Sequence, residues 1–208
     1  MSLRLDFVAA SAARFAVERW HYSRTLPTGK LVRIGVWEDD TFRGVVVFGS
    51  GSGMGLMRLS KRYGISNLEC CELVRVALRS HKTPVSRIVA IAIKMLRVAC
   101  PGIRLILSFA DPSRGHHGGI YQAGNWVYTG LGFGTKVYRT KSGKEVLSRT
   151  VTGSGFAKIY GGKVARVYKI ADVTYLGERP KHRYLFPIDR SLLSKVAADR
   201  KPHPKRPS

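Results

Sequence analysis

The chain has 208 residues, 44% hydrophobic and 10% aromatic, which suits one folded α/β domain and excludes a disordered tail protein. No apolar run reaches the ~18 residues of a membrane span, and a start carrying Asp6 and Glu18 reads poorly as a secretory signal, so a cytoplasmic protein is expected. Thirty-six Lys and Arg against thirteen Asp and Glu leave a formal charge of +23, a self-repulsion that calls for a polyanionic partner, nucleic acid before others.

LRLDFV reads as a short strand, followed by a helix that opens on Ala9, Ala10, Ser11 and Ala12 and shows Phe15, Val17 and Trp20 as apolar surface. HYSRTLPTGK breaks regular structure at Pro27 and Gly29. LVRIGVWE and FRGVVVFGS form a hairpin across Glu38, Asp39 and Asp40. GSGSGMG then reads as a flexible loop beside the active site or the nucleic acid, because it lacks the spacing of a nucleotide-binding P-loop. CCELVRVAL is an apolar strand. Cys70, Cys71 and Cys100 have no paired spacing, which predicts core thiols in a reducing compartment and neither a disulfide framework nor a zinc site.

RSHKTPVSRIVAIAIKMLRVA predicts a buried helix with Pro84 near its first turn, ended by Pro101 and Gly102. IRLILSFAD is a nearly continuous apolar strand, so strand, helix and strand make one right-handed parallel crossover. The polar, glycine-rich stretch 111–130 follows the carboxyl end of that strand, where open α/β sheets place ligands, and includes a short helix from Ile120 to Asn125 and a strand at WVYTGLGF. Residues 131–170 carry nine Lys or Arg and one acid, Glu145, the composition of hairpins or arms that face a polyanion. KHRYLFPIDR precedes a short helix, SLLSKVAAD, and the tail RKPHPKRPS is expected to be disordered. One domain over residues 1–190 with a basic hairpin insert at about 134–170, then a short helix and tail over 191–208, is the organisation this predicts.

Chemistry concentrates in two places. His21, Tyr22 and Ser23 are either a surface His beside a packed Tyr, or a general base or metal ligand beside a phenol. Ser108, Asp111, His116, His117, Tyr121 and Asn125 form a denser group. Asp111 ends a buried strand, a costly place for a charge unless it binds, reacts or caps the turn at Pro112 and Ser113. Tyr121 and Asn125, four apart, would share a helix face, where ring stacking and an amide can hold an extruded adenine, with Trp126 or Tyr128 assisting. Glu72 and Arg75 lie in an apolar strand as an internal pair or as ligand-positioning groups, and Ser86 and Arg87 flank free helix amides. Lys30, Arg33, Lys61, Arg62, Arg114, Lys136, Arg139, Lys141, Lys144, Lys181 and Arg183 are the expected contacts to double-stranded DNA.

HYS at 21–23, IGVWEDDTFRGVVVFG, ELVRVAL at 72–78, SFADPSRGHHGGIYQAGNWVYTG at 108–130 and KHRYLFPID at 181–189 occur in order over most of the chain. In these blocks the sequence resembles the Mom family, adenine-modification proteins of Mu-like bacteriophages and related prophages. The resemblance implies a divergent GNAT acetyltransferase fold, a mixed central sheet with helices on both faces in a single α/β domain. It further implies an enzyme that turns the exocyclic amino group of adenine in DNA into a carbamoylmethyl amine and so protects phage DNA from restriction. Acetyl-CoA or a related donor comes with it, as does iron held by His21, Tyr22 and Asp111. A thioester methyl is not an electrophile, and a redox metal would address that obstacle.

One departure stands out. The glycine-rich pyrophosphate loop of ordinary acetyltransferases is replaced by RSHKTPVSR, which leaves Arg79, Lys82, Ser86 and Arg87 as side-chain substitutes. An N-acetyltransferase acting on a nucleic-acid or protein amine, and a non-catalytic DNA-binding protein, remain alternative readings. Oligomeric state stays open, a homodimer among the options.

Overall fold

Asp39 and Asp40 both adopt left-handed backbone (φ 47° and 58°), the conformation of a tight hairpin turn whose twist matches its strands. They join β2 (Leu31–Glu38) to β3 (Thr41–Gly49) in a computed structural model that describes residues 2–50, 53–132, 134–153, 158–160, 163–165 and 167–206. Before this hairpin come β1 (Leu3–Phe7) and α1 (Ala10–Trp20); after it come α2 (Gly53–Tyr63), β4 (Cys70–Leu78), α3 (Val85–Ala99) and β5 (Leu105–Ala110). The chain continues through α4 (Gly119–Gln122), β6 (Val127–Leu131), β7 (Thr135–Thr140), β8 (Glu145–Leu147), β9 (Val151–Thr152), β10 (Lys158–Tyr160), β11 (Lys163–Ala165) and β12 (Tyr168–Lys169). β13 (Val173–Arg179), β14 (His182–Pro187) and α5 (Leu193–Ala197) complete it.

Seven strands form the central sheet in the order β1-β2-β3-β4-β5-β14-β6. Only β4 and β5 run parallel, joined by the crossover helix α3, and every other pairing in this sheet is antiparallel. Burial on both faces explains the unbroken apolar runs. Val46 and Phe48 of β3 pack with Ile88, Val89, Ala92, Ile93 and Leu96 of α3, whereas Val45 and Val47 turn to Ala13, Ala16 and Val17 of α1. Leu56, Leu59 and Tyr63 of α2 cover Leu105, Leu107 and Leu185 on the α1 side, together with Leu192 and Val196. This is the expected α/β architecture, a mixed sheet with helices on both faces.

Three expectations are corrected. GSGSGMG is not wholly a loop: residues 51–52 lie outside the described residues, but α2 begins at Gly53 because its later turns bury Leu56, Leu59 and Tyr63. The basic extension runs past residue 170, since β13 pairs with β7 in a separate three-stranded sheet, β13-β7-β8. The tail, described through Arg206, lies against the sheet. The Lys201 N–H donates to the Tyr128 carbonyl of edge strand β6 (2.8 Å), and His203 stacks on the Tyr184 ring, so the segment wraps the edge that β6 would otherwise leave unpaired. Asp199 anchors the wrap by accepting from Arg62 and Tyr63 of α2.

Candidate active site

The central sheet splits between its two parallel strands. β4 and β5 pair only at Cys70–Leu105, Cys71–Ile106 and Glu72–Leu107, yet β4 stays on β3 to Leu78 and β5 stays on β14 to Ala110. A bulge at Val74, which has no partner between Phe48–Leu73 and Val47–Arg75, bends β4 away at that point. The resulting wedge is pinned at its base by Ser108, whose buried hydroxyl donates to the Leu73 carbonyl (2.9 Å) and bonds the Tyr121 hydroxyl (2.8 Å). Burial, reinforced by Tyr22, Glu72 and Tyr184, pushes the Tyr121 phenol up to about 12 despite the Ser108 bond.

Asp111 follows β5 directly. Its Oδ1 accepts from the Ser113 N–H (3.1 Å) and hydroxyl (2.6 Å), capping the turn Pro112–Arg114, and its Oδ2 lies 3.1 Å from Lys181 Nζ at the head of β14. The side chain is 12% exposed. Burial raises its pKa, but the bonds from Ser113 and Lys181 outweigh that and hold the carboxyl below its ordinary value. The next turn needs glycine. Gly118 has φ +84°, and a Cβ there would overlap the Tyr184 ring, whose hydroxyl donates to the His117 carbonyl (2.7 Å).

His21 closes the wedge from the α1 side. Arg75 on β4 ties the segment down by donating to the Thr25 carbonyl (3.1 and 2.9 Å). Burial first, then the nearby Arg75, His116 and Lys181, lowers the His21 pKa to about 4, so the ring is neutral at neutral pH. The Ser23 N–H donates to Nδ1 (3.1 Å), which puts the ring proton on Nε2. With Nδ1 accepting, Nε2 is a hydrogen-bond donor. Tyr22 stacks on His21 (4.3 Å between centroids) and meets His116 edge-on (5.5 Å).

Thus His21, Tyr22, Arg75, Ser108, Asp111 and Tyr121, with Glu72 at the last ladder rung, gather around one wedge. Asn125 does not join them. The helix stops at Gln122, so Asn125 leaves the face of Tyr121, takes φ +58° and lines a shallow groove with Val127, Phe186, Leu193 and Arg200. That groove lies at the start of β5, where Pro187 pairs with Leu105, about 20 Å along the chain from Asp111. Tyr121 is also corrected as a stacking platform: at 7% exposure it packs on Trp126 and Tyr184 in the core.

The iron set fares similarly. Among the described residues no group of three or more His, Cys, Asp or Glu side chains is placed to hold a metal ion. Asp111 is committed to Ser113 and Lys181, and His21 sits among cationic groups that oppose a metal cation. His21, Tyr22 and Asp111 as placed do not fit iron.

The loop before α3 holds a group that sequence reasoning missed. Glu38, only 2% exposed, accepts from the Lys82 N–H (2.9 Å) and the Thr83 N–H (2.7 Å), and Thr83, its side chain first, together with the Lys82 amide lowers its pKa to about 2. Two amides of this loop are therefore filled by the protein's own carboxylate and are closed to a pyrophosphate. Arg79 lies over the Trp20 ring (5.4 Å), Lys82 sits in the loop, and Ser86 and Arg87 lie in the first turn of α3. The Asp–Asp turn following Glu38 in the sequence signals the hairpin, and nothing local signals the distant amides.

Of the expected DNA contacts, Lys30, Lys61, Arg114, Lys136, Arg139, Lys141 and Lys144 are exposed, Lys141 while pairing with Asp172 (3.3 Å). Arg33 donates to the Val8 carbonyl, Arg62 holds Asp199, Lys181 holds Asp111, and Arg183 donates to Thr129 (2.8 Å). These four are structural before they are free for phosphate.

The model of the Mom protein family matches residues 2–205. Methylcarbamoylase mom of Escherichia phage Mu is 28% identical over 132 residues, 62% of this chain and 54% of that protein, so the match spans about half the relative's length. Among solved structures, FeeM, an N-acyl amino acid synthase from uncultured soil microbes, is similar over 90% of each chain (11% identity, TM-score 0.46). An N-acetyltransferase from Staphylococcus aureus Mu50 is similar over 90% of this chain and 98% of its own (8% identity, TM-score 0.44).

Proposed function

The chain belongs to the Mom protein family, and from that premise we propose that it is a transferase that converts the exocyclic amino group of adenine in double-stranded DNA to a carbamoylmethyl amine, protecting phage DNA from restriction. The observation that carries this reading is the convergence of His21, Arg75, Ser108, Asp111 and Lys181 on the wedge between β4 and β5. A wedge at the carboxyl ends of parallel strands is where an open α/β sheet offers unpaired backbone and a ligand site.

Each group has a task in this reading. Neutral His21 donates from Nε2 to an oxygen or ring nitrogen that gains charge, without itself needing to lose a proton. Lys181 and Arg75 hold positive charge beside it, favourable both to that developing charge and to the DNA backbone. Asp111 fixes Lys181 and the turn that carries Arg114 and His116. The amino nitrogen bonds to a methylene carbon whose leaving group departs with its bonding electron pair, and the proton lost from nitrogen is assigned to Glu72, at the last rung before the wedge. An acetyl-CoA-like cofactor would be held by its phosphates on Lys82, Ser86 and Arg87; its methyl is not an electrophile, so the carbamoylmethyl group comes from a donor that already carries a leaving group on its methylene carbon. The formal charge of +23 and the exposed Lys and Arg of β7 supply the sequence-independent attraction to DNA.

Expression in a bacterial host, followed by mass analysis of its hydrolysed DNA, tests the reading. A carbamoylmethyl-adenine nucleoside is expected. An acetylated nucleoside would support the N-acetyltransferase alternative, and unchanged adenine would contradict catalysis on DNA altogether.

A further inference from the structure

From the surroundings of one exposed ring we infer that Tyr22 is the platform on which a planar nucleobase, swung out of the duplex, stacks before it reacts. The inference rests on the DNA-modification reading above and specifies how that substrate is held.

Tyr22 is 46% exposed, although it lies in the middle of the polar cluster. Exposed tyrosines usually swing freely; this ring is held in a fixed plane from several sides. Its face stacks on His21 (4.3 Å, 30°), the His116 ring meets it at 77° and 5.5 Å, and the Arg114 guanidinium stands 5.8 Å from its centroid. Arg114 lies over the ring, so a base stacked on this face displaces the guanidinium, which stays close enough to meet the phosphate of that base. The ring is thus oriented in advance by His21 and His116, which lowers the ordering cost of stacking a ligand on it.

Chemistry narrows the ligand class. A tyrosine face accepts any flat π-system, and the cations around this one, Arg114 on its own and Lys181 and Arg75 beside His21, select a π-system joined to phosphate. An unpaired base in a DNA strand has both parts. A base acted on at its amino group cannot be reached inside the duplex, so a support for the extruded form is required. Tyr121, the other tyrosine in the cluster, is packed in the core and cannot serve. In this role the aromatic face matters and the phenol oxygen does not.

That distinction sets the test. Tyr22→Phe, Tyr22→Trp and Tyr22→Leu proteins are compared on an oligonucleotide duplex, with product formation for kinetics and 2-aminopurine at the target position as a fluorescent report of base extrusion. Phe and Trp should keep the fluorescence rise and a near-normal KM, whereas Leu should raise KM by about 5- to 150-fold, the span measured for base–aromatic stacking. A Phe variant as impaired as Leu would show that the oxygen is what counts and overturn the platform; a Leu variant with unchanged KM and fluorescence would do the same. If wild type extrudes the base but yields no product, the platform stands and the proposed reaction falls.

Discussion

Ser108 on β5 reaches across the wedge to the carbonyl of Leu73 on β4, 2.9 Å away, at the point where the main-chain ladder has ended. One side chain thus replaces a rung of the sheet, and the same hydroxyl is the polar partner of buried Tyr121. Removing either end should have unequal effects. Ser108→Ala strands both the Leu73 carbonyl and the Tyr121 hydroxyl and should cost about 1–3 kcal/mol. Tyr121→Phe leaves Ser108 bonded to Leu73 and should cost less. Chemical unfolding of the two variants checks the order; equal losses would mean that the bridge is not what pins the wedge.

His21 carries a pH signature. Its folded-state pKa of about 4 lies below the ordinary value of 6.5, so between these values the unfolded chain takes up a proton that the folded chain refuses. Stability should fall as pH drops from about 6.5 to about 4, with no contribution from this residue above that window and no further loss below it. His21→Asn, which keeps an acceptor for the Ser23 N–H, should remove this part of the slope. Thermal melts across the window would detect it. If modification proceeds, its rate should likewise show no titration of His21 near pH 6.5.

Glu38 gives the opposite sign. Its carboxylate is held near pKa 2 by Thr83, side chain first, and by the Lys82 amide, so its contribution is present above about 4.5 and is lost as pH falls toward 2. Glu38→Ala leaves the Lys82 and Thr83 amides without their acceptor. It should lower Tm by at least about 2–4 °C, with Glu38→Gln, which retains one acceptor oxygen, falling between it and wild type. Equal Tm values for all three would dismiss the carboxylate as the keeper of the loop.

The parts legible in the sequence are those whose signal is local. The β2–β3 hairpin shows in its Asp–Asp turn and flanking β-branched residues, and the crossover shows in the periodicity of residues 85–99 between two apolar strands. α2 was hidden because glycine has poor helix propensity, and its stability comes from burying Leu56, Leu59 and Tyr63. The insertion of β14 between β5 and β6, and the docking of the tail on Tyr128, are long-range events with no local mark. In the site, Asp111 and Ser108 were found because a polar residue in an apolar strand is conspicuous. Asn125 was misplaced because the i, i+4 argument assumes a helix that ends three residues earlier. Lys181 reads as a phosphate contact in the sequence, which does not show that β14 lays it against Asp111.

The claim on which the account depends is that the wedge beside Asp111 and Lys181, not the groove beside Asn125, is where adenine is modified. Mass analysis of nucleosides from hosts expressing wild type, Asp111→Ala and Asn125→Gly, the last chosen to keep the left-handed backbone, tests it most directly. The account predicts a carbamoylmethyl-adenine signal in wild type and Asn125→Gly, and a fall of about 10²-fold in Asp111→Ala as Lys181 and its turn lose their anchor. A full signal from Asp111→Ala, or its loss in Asn125→Gly alone, would contradict it.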